Sequence, residues 1–240
     1  MQGTHNQTNR DNAKSASHSC FPGKKGLKSR AFGFRPAKAN PVEQRGFADC
    51  ILQPLMNMAK LGNIELFFMD ASHFVMGGFL GRGWSRIRHW VKTSSGRQRF
   101  NVLGALNFIT KKVEMITNDA YITSVQVVEM LEKLAKTYGK PIVIVLDNAP
   151  YQTCKFVKEA AKRLDIGLVY LPTYSPNLNL IERVWKLVKS RVLSLVYHET
   201  FAIFCESITK CVESLHTSLL PEMDTRITER FHILDLKNAA

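Results

Sequence analysis

The pattern of apolar and polar positions changes along this chain, from a helical period before residue 63 to short apolar runs after it. Between residues 41 and 60 apolar side chains recur at helical spacing, which predicts a helix that ends before Gly62. From Ile64 onward, uninterrupted apolar runs indicate buried strands. The predicted strands are Ile64–Met69, Arg99–Ile109, Val113–Ile116, Ile142–Leu146 and Gly167–Leu171.

Amphipathic segments alternate with the later strands and predict helices at about 124–138, 153–164, 180–195 and 201–219. The first of these begins with a capping-box pattern, Thr123 and Gln126, and ends before Gly139. In the second, Phe156 and Val157 are expected to face the core. Strands first, followed by alternating helices and strands, predict an α/β fold with a mixed sheet flanked by helices.

Charge points to a polyanionic partner. The chain holds 33 Lys and Arg against 20 Asp and Glu, a net charge of +13. Eight of the cations and a single acid lie in residues 1–38, and residues 1–35 are polar without a helical or strand period. We interpret 1–35 as a basic, disordered arm and 36–63 as a linker helix. An excess of positive charge of this size favours nucleic acid as the partner.

Cysteine usage and hydropathy exclude several classes of protein. The five cysteines are odd in number and widely spaced, without a Cys-x-x-Cys motif, so neither a disulfide framework nor a zinc site is indicated. No apolar run approaches the length of a membrane-spanning helix, and the N-terminus lacks the apolar core of a signal peptide. We therefore expect a cytoplasmic protein without a membrane partner.

Two predicted strands are followed directly by an aspartate. Asp70 follows Ile64–Met69 and Asp147 follows Ile142–Leu146, so parallel neighbouring strands would place both carboxylates at one edge of the sheet. Glu182 lies in the first turn of a later helix. Three converging carboxylates repel each other unless a cation neutralises them, and oxygen ligands select Mg²⁺ or Mn²⁺. Taken singly, each acid also fits a turn, a helix cap or, for Glu182, an ion pair with Lys186.

Three stretches around these acids have a specific sequence, namely Phe68–Phe74, Val145–Ala149 and Leu171–Trp185, and 34 residues separate Asp147 from Glu182. Together they resemble the insertion-sequence 630 family of transposases, which is related to the Tc1/mariner group. The resemblance implies an RNase H-like DDE catalytic domain over residues 64–219, followed by a C-terminal tail at 220–240. It implies Mg²⁺-dependent DNA cleavage and strand transfer in transposition. Its catalytic metal ligands, for two Mg²⁺ or Mn²⁺ ions, would be Asp70, Asp147 and Glu182.

The resemblance also implies partners. These are double-stranded DNA, as element ends and as a target with TA sequence, and a second copy of the chain in a homodimer on DNA, in a nucleoid-associated cytoplasmic protein. The family's N-terminal helix-turn-helix region has no counterpart in residues 1–35, so we expect a truncated copy. Many relatives carry histidine where Gln152 stands. Two alternatives stay open, namely a catalytically silent DNA-binding remnant and another RNase H-like nuclease, such as a junction resolvase or an RNA–DNA hybrid nuclease.

Basic residues interleaved with aromatic ones are candidate DNA contacts. Between residues 81 and 101 the chain alternates cations with Trp84, Trp90 and Phe100, and it carries no acid there. Cations contact phosphates, and aromatic rings stack on unpaired bases. A solvated hairpin whose aromatic rings belong to the core remains the alternative. Together with two lysines of the Glu182 helix, the candidates are Arg82, Arg86, Arg88, Lys92, Arg97, Arg99, Lys186 and Lys189.

Overall fold

Five strands form one mixed sheet in the computed structural model, which describes residues 38–77, 90, 92, 98–118, 120–231 and 233. Across the sheet the order is β3-β2-β1-β4-β5. Neighbours among β1, β2 and β3 are antiparallel, whereas β4 is parallel to both β1 and β5. The strands are β1 (Glu65–Val75), β2 (Arg99–Asn107), β3 (Val113–Asn118), β4 (Ile142–Leu146) and β5 (Ile166–Tyr170).

Helices cover the sheet, so the predicted fold class is confirmed. The predicted capping box at the start of α3 is present, because Gln126 Oε1 accepts a hydrogen bond from the Thr123 N–H at 2.8 Å and Thr123 Oγ1 accepts one from the Val125 N–H at 3.3 Å. A π-helical turn at Ala48–Leu52 joins α1 to α2, and a 3-10 turn at Pro176–Leu178 precedes α6. The helices are α1 (Pro41–Phe47), α2 (Gln53–Lys60), α3 (Ser124–Thr137), α4 (Pro150–Thr153), α5 (Lys155–Arg163), α6 (Ile181–Val192), α7 (Phe201–Ser214) and α8 (Leu220–Arg226).

The sheet is buried on both faces. Alternate residues of β1 point in opposite directions, so Leu66 and Phe68 pack with α6 and α7, while Phe67 and Met69 pack with α3 and α5. All four side chains are fully buried. Burial on both faces explains why this strand reads as a continuous apolar run instead of an alternating one.

The strand that carries Asp70 is longer than the sequence predicts. β1 continues to Val75 because β2 pairs with it along its whole second half, whereas its pairing with β4 ends at Met69 and Leu146. The prediction that Asp70 follows the end of a strand is therefore wrong. Asp70 lies inside β1, at the point where β4 separates from it.

The helix predicted at 153–164 is interrupted. Cys154 has an extended backbone, with ψ of 160°, between the short α4 and α5. Val157 is fully buried as expected, but Phe156 is 51% exposed. The inward orientation predicted for Phe156 is wrong, because α5 begins only at Lys155 and presents the face of Val157 to the core.

The described residues all belong to one unit, Arg35–Ala240. The predicted arm at 1–35 lies outside the residues that the structure describes. No helix in the described part of the chain is long and apolar enough to cross a membrane.

Candidate active site

The three acids predicted from the sequence lie at the edge of the sheet where β4 ends beside β1. Asp70 is one residue beyond the last β1–β4 pair, and Asp147 follows β4 directly. Glu182 lies in the first turn of α6. All three side chains are half-buried. The structure thus brings the predicted acids to one place, although they are up to 112 positions apart in the chain.

Burial raises the pKa values of all three carboxyl groups, and repulsion by neighbouring acids adds to the increase for Asp70 and Glu182. Burial first, then the charges of Glu182 and Asp147, raise the pKa of Asp70 to about 8. Burial also raises the pKa of Asp147, and a hydrogen bond from Asn179 acts in the opposite direction. Burial and Asp147 raise the pKa of Glu182, against the charges of Lys189 and Lys186. Carboxyl groups perturbed in this way are typical of functional sites.

Oxygen donors that repel each other suit a divalent cation by their chemistry. Their present arrangement is more open than a metal site. Among the described residues, no group of three or more His, Cys, Asp or Glu side chains is arranged so that it could hold a metal ion as it stands. Convergence of Asp70, Asp147 and Glu182 on one ion therefore requires their side chains to rotate from these positions.

Asn179 connects the ends of β1 and β4, and the sequence analysis did not assign it a role. Its side chain is 1% exposed. Its Nδ2 donates to the Met69 carbonyl at 3.2 Å and to Asp147 Oδ1 at 3.4 Å, so it fixes both strands beside the acids. A polar residue between two buried leucines, Leu178 and Leu180, was the signal that the sequence offered.

Helix α1 holds the loop that leads to Asn179. Gln44 is 3% exposed, and both ends of its amide are used by the loop. Its Nε2 donates to the Tyr174 carbonyl at 3.3 Å, and its Oε1 accepts from Asn177 Nδ2 at 3.0 Å. Tyr174 has a φ of 57°, in the left-handed region that residues other than glycine adopt rarely and at some cost. The Gln44 amide therefore stabilises a strained loop just before Asn179 and Glu182.

Helix α6 approaches β2 closely because Gly104 has no side chain. Gly104 pairs with Asp70 across the β1–β2 ladder. A Cβ atom there would lie 2.6 Å from Trp185 Cη2 and 3.0 Å from Ile181 Cδ1. Trp185, expected to be a core residue, is 1% exposed and packs edge-to-face on Phe74 with ring centroids 6.1 Å apart. This close packing places the first turn of α6, and with it Glu182, near Asp70.

A tyrosine hydroxyl is also near the two aspartates. Burial, then the charges of Asp70 and Asp147, raise the pKa of Tyr151 to about 12, so the phenol stays protonated. Gln152 is fully buried and donates through Nε2 to the Tyr151 hydroxyl at 3.4 Å. Gln152 therefore helps to hold the Tyr151 hydroxyl in position by this hydrogen bond.

The structure describes four of the eight predicted DNA contacts, and these four differ in exposure. Lys92, Arg99 and Lys186 are exposed. Lys189 is half-buried, lies 5.6 Å from the centroid of the Phe74 ring, and acts electrostatically on Asp70 and Glu182. The remaining four candidates, Arg82, Arg86, Arg88 and Arg97, lie outside the described residues.

Known proteins that are similar to this chain include a family of endonucleases and two curated relatives. The family model described as "DDE superfamily endonuclease" matches residues 65–203, which include all three acids. The chain is 26% identical over 136 residues to the insertion element IS630 uncharacterized 39 kDa protein of Shigella sonnei, covering 53% of this chain and 38% of that protein. It is 39% identical over 56 residues to the transposable element Tcb2 transposase of Caenorhabditis briggsae, covering 23% of this chain and 20% of that protein. The chain thus matches less than half the length of either curated relative.

Solved structures share the fold. The Mos1 transposase paired-end complex with left transposon end superposes with a TM-score of 0.56 at 13% identity, covering 83% of this chain and 68% of that chain. The mariner Mos1 paired end complex with Mn gives a TM-score of 0.56 at 13% identity, over 81% of this chain and 68% of that one. The likeness confirms the predicted RNase H-like sheet. Because the family model matches more than half of its residues, this chain belongs to the DDE superfamily endonuclease family.

Proposed function

We propose that this chain is the catalytic domain of a DNA transposase, which cleaves DNA and transfers DNA strands with two Mg²⁺ or Mn²⁺ ions held by Asp70, Asp147 and Glu182. The observation that carries the proposal is that three acids with raised pKa values meet at one edge of the sheet. All three lie in the segment that matches the endonuclease family. Solved transposase complexes of this fold are described with a transposon end and with Mn.

Each residue of the site has a distinct part in this chemistry. Two divalent ions, when bound, would neutralise charge on the attacking and leaving oxygens of the phosphodiester. The chain contributes position: Asp70 lies on β1, Asp147 directly follows the adjacent strand β4, and Asn179 holds Asp147 by a hydrogen bond. Groups that are close together before the substrate arrives need less rearrangement to reach the geometry of an in-line displacement. Water attacks in cleavage and a DNA 3′-hydroxyl attacks in strand transfer, so no protein nucleophile is required.

The partners that belong to this proposal are double-stranded DNA, with TA as the target sequence, and a second copy of the chain bound with it on DNA. The net charge of +13 supports a DNA partner, because cations that contact phosphates release counterions. The location that belongs to this proposal is the cytoplasm, in association with the nucleoid.

Replacement of Asp147 tests the proposal. Asp147→Asn removes a negative charge and keeps the side chain's shape, so we expect folded protein without Mn²⁺-dependent nicking of plasmid DNA. The matched control is Asp49→Asn, because Asp49 is exposed in the π-helical turn and lies outside residues 65–203, the segment that the family model matches. Nicking by pure Asp147→Asn at the wild-type rate would reject the assignment.

A second candidate, a catalytically silent DNA-binding domain, is favoured by one observation. In the described residues the acids do not form a metal-holding group as they stand. That candidate predicts DNA binding without nicking in the wild type, and no increase in thermal stability on addition of Mn²⁺.

A further inference from the structure

A cleft of about 390 Å³ opens beside Glu182, between α6 and the chain around the end of α8. Glu182, Arg183 and Lys186 line it on the α6 side. Thr225, Arg226 and Thr228 line it on the other side. The second wall lies outside residues 65–203, the segment that the family model matches. We call these residues, 225–230, the C-terminal strap.

Arg183 fixes the C-terminal strap to α6. Its Nη1 donates to the carbonyl oxygens of Arg226 at 3.1 Å and Thr228 at 2.8 Å, and its Nη2 donates to that of Arg230 at 2.7 Å. Hydrogen bonds from a charged donor are stronger than those between neutral groups. Met223, fully buried, and Ile227, 4% exposed, anchor the same stretch in the core. The cleft therefore has a fixed second wall.

Positive charge dominates the cleft. Arg183 donates to carbonyl and hydroxyl oxygens and lies 5.8 Å from the centroid of the Phe231 ring, and no salt bridge neutralises it within the described ranges. Arg226 is paired with Glu222 at 2.8 Å. Lys186 is exposed, and among the described residues it forms no salt bridge, including the ion pair with Glu182 that their spacing allows. Lys186 is thus a cation available to an anionic ligand.

Thr228 contributes a hydroxyl group to the cleft wall opposite Lys186. Thr228 Oγ1 accepts a hydrogen bond from Arg183 Nη1 at 3.3 Å. A threonine hydroxyl carries one hydrogen in addition to its accepting lone pairs, so this hydrogen remains free for an acceptor oxygen in the cleft. An ammonium group and a hydroxyl donor on opposite walls are a suitable pair for a phosphate group.

We propose that this cleft binds a phosphodiester of the DNA strand, next to the one that reacts at the acidic edge, and that Lys186 is its principal contact. The inference rests on the proposed function. Glu182 borders both the acidic edge and the cleft, so a strand that leaves the reacting position on this side enters the cleft directly. The volume lies within the range of about 300–1,000 Å³ that ligand sites occupy, which suits one phosphodiester unit of a strand.

Chemical footprinting of the wild-type protein tests this site. We expect a mixed-sequence DNA duplex to protect the Lys186 amine from acetylation several-fold more than the Lys210 amine, measured by mass spectrometry. Lys210 is the control because it lies on α7, exposed and paired only with Glu206 at 2.6 Å in the described part of the chain. Equal protection of the two lysines would overturn the assignment.

The salt dependence of binding is a second readout. Lys186→Met and Lys210→Met each remove one exposed charge, so both change the net charge equally. Loss of one phosphate contact makes the slope of log affinity against log salt concentration less steep by about 0.9. We expect this change for Lys186→Met only. Equal slopes for both variants would overturn the proposal.

The two proposals fail separately. If Asp147→Asn loses nicking while Lys186→Met keeps the wild-type salt slope and Lys186 is not protected, the cleft assignment is wrong and the proposed function stands. If DNA protects Lys186 but the wild type does not nick DNA in Mn²⁺, the cleft binds DNA and the proposed catalysis is wrong.

Discussion

Gly104 is the position where one added methyl group tests how α6 is seated on the sheet. In Gly104→Ala the new Cβ would lie 2.6 Å from Trp185 Cη2 and 2.7 Å from Trp185 Cζ2. Carbon atoms attract each other best at about 3.5–4.0 Å, so the methyl group is about 1 Å too close. Trp185 is 1% exposed, so its ring cannot move away from the methyl group without displacing other buried groups. Helix α6 must shift, or the side chains around Trp185 must repack.

Overpacking of this kind costs about 1–3 kcal/mol of the free energy of unfolding. In a chain of this size each kcal/mol lowers the melting temperature by about 2–4 °C, so we expect a decrease of about 2–12 °C for Gly104→Ala. Because α6 carries Glu182, the same shift should weaken the stabilisation of the protein by Mn²⁺.

Thermal unfolding measured by circular dichroism is the assay. Gly139→Ala is the matched control, since no atom lies within 4 Å of the Cβ that it would add, and its melting temperature should stay near the wild-type value. Trp185→Phe removes the two atoms that clash. The loss of stability in the double variant Gly104→Ala/Trp185→Phe should therefore be smaller than the sum of the losses in the two single variants. A melting temperature of Gly104→Ala equal to that of Gly139→Ala would refute the packing argument.

Three further predictions concern the support of the acids. Asn179→Leu removes the donor to Met69 and Asp147, and should lower the free energy of unfolding by about 1–3 kcal/mol. Urea denaturation measures this change, with Asn57→Leu at an exposed position as the control. Gln44→Met leaves two polar groups of the loop unpaired, and should increase hydrogen exchange at residues 172–179; unchanged exchange there would contradict the role of Gln44. The pKa of Asp70 is about 8 in the folded protein, against an ordinary value of 3.8. Between these two pH values the folded protein keeps a proton that the unfolded chain loses, so the free energy of unfolding should fall as pH rises through this range and level off above it. A profile of melting temperature against pH should therefore be flatter for Asp70→Asn, and an identical slope in that variant would contradict the raised pKa.

The parts of the fold that the sequence predicted well are those with strong local signals. Ile142–Leu146 is β-branched and uninterrupted, and it forms β4 with the predicted ends. Thr123 and Gln126 marked the start of α3 because a capping box is a contact between residues three apart. Asp147 was placed correctly for the same reason, since it follows a strand whose end is visible in the local pattern.

The parts that the sequence did not predict depend on contacts between distant segments. The second half of β1 exists because β2 pairs with it, and no local pattern after Met69 shows that pairing. Gln44 reaches a loop 130 residues away. The local sequence around Gly104 predicts only a strand residue, and the need for glycine there follows from the close approach of Trp185 in the fold. The orientation of Phe156 depended on a break at Cys154 that a continuous helical pattern concealed.

A titration of thermal stability with Mn²⁺ tests the central claim most directly, with wild type compared to Asp70→Asn and Asp147→Asn. A ligand that binds only the folded state stabilises it by about 2.7 kcal/mol at a concentration one hundred times its Kd. Replacing a buried acid with an amide changes the stability of the metal-free protein by itself, so the change in melting temperature on adding Mn²⁺ is compared in place of the absolute melting temperature. We expect an increase in melting temperature in the wild type that is lost in both variants. An equal increase in all three proteins would contradict a shared metal site at Asp70 and Asp147.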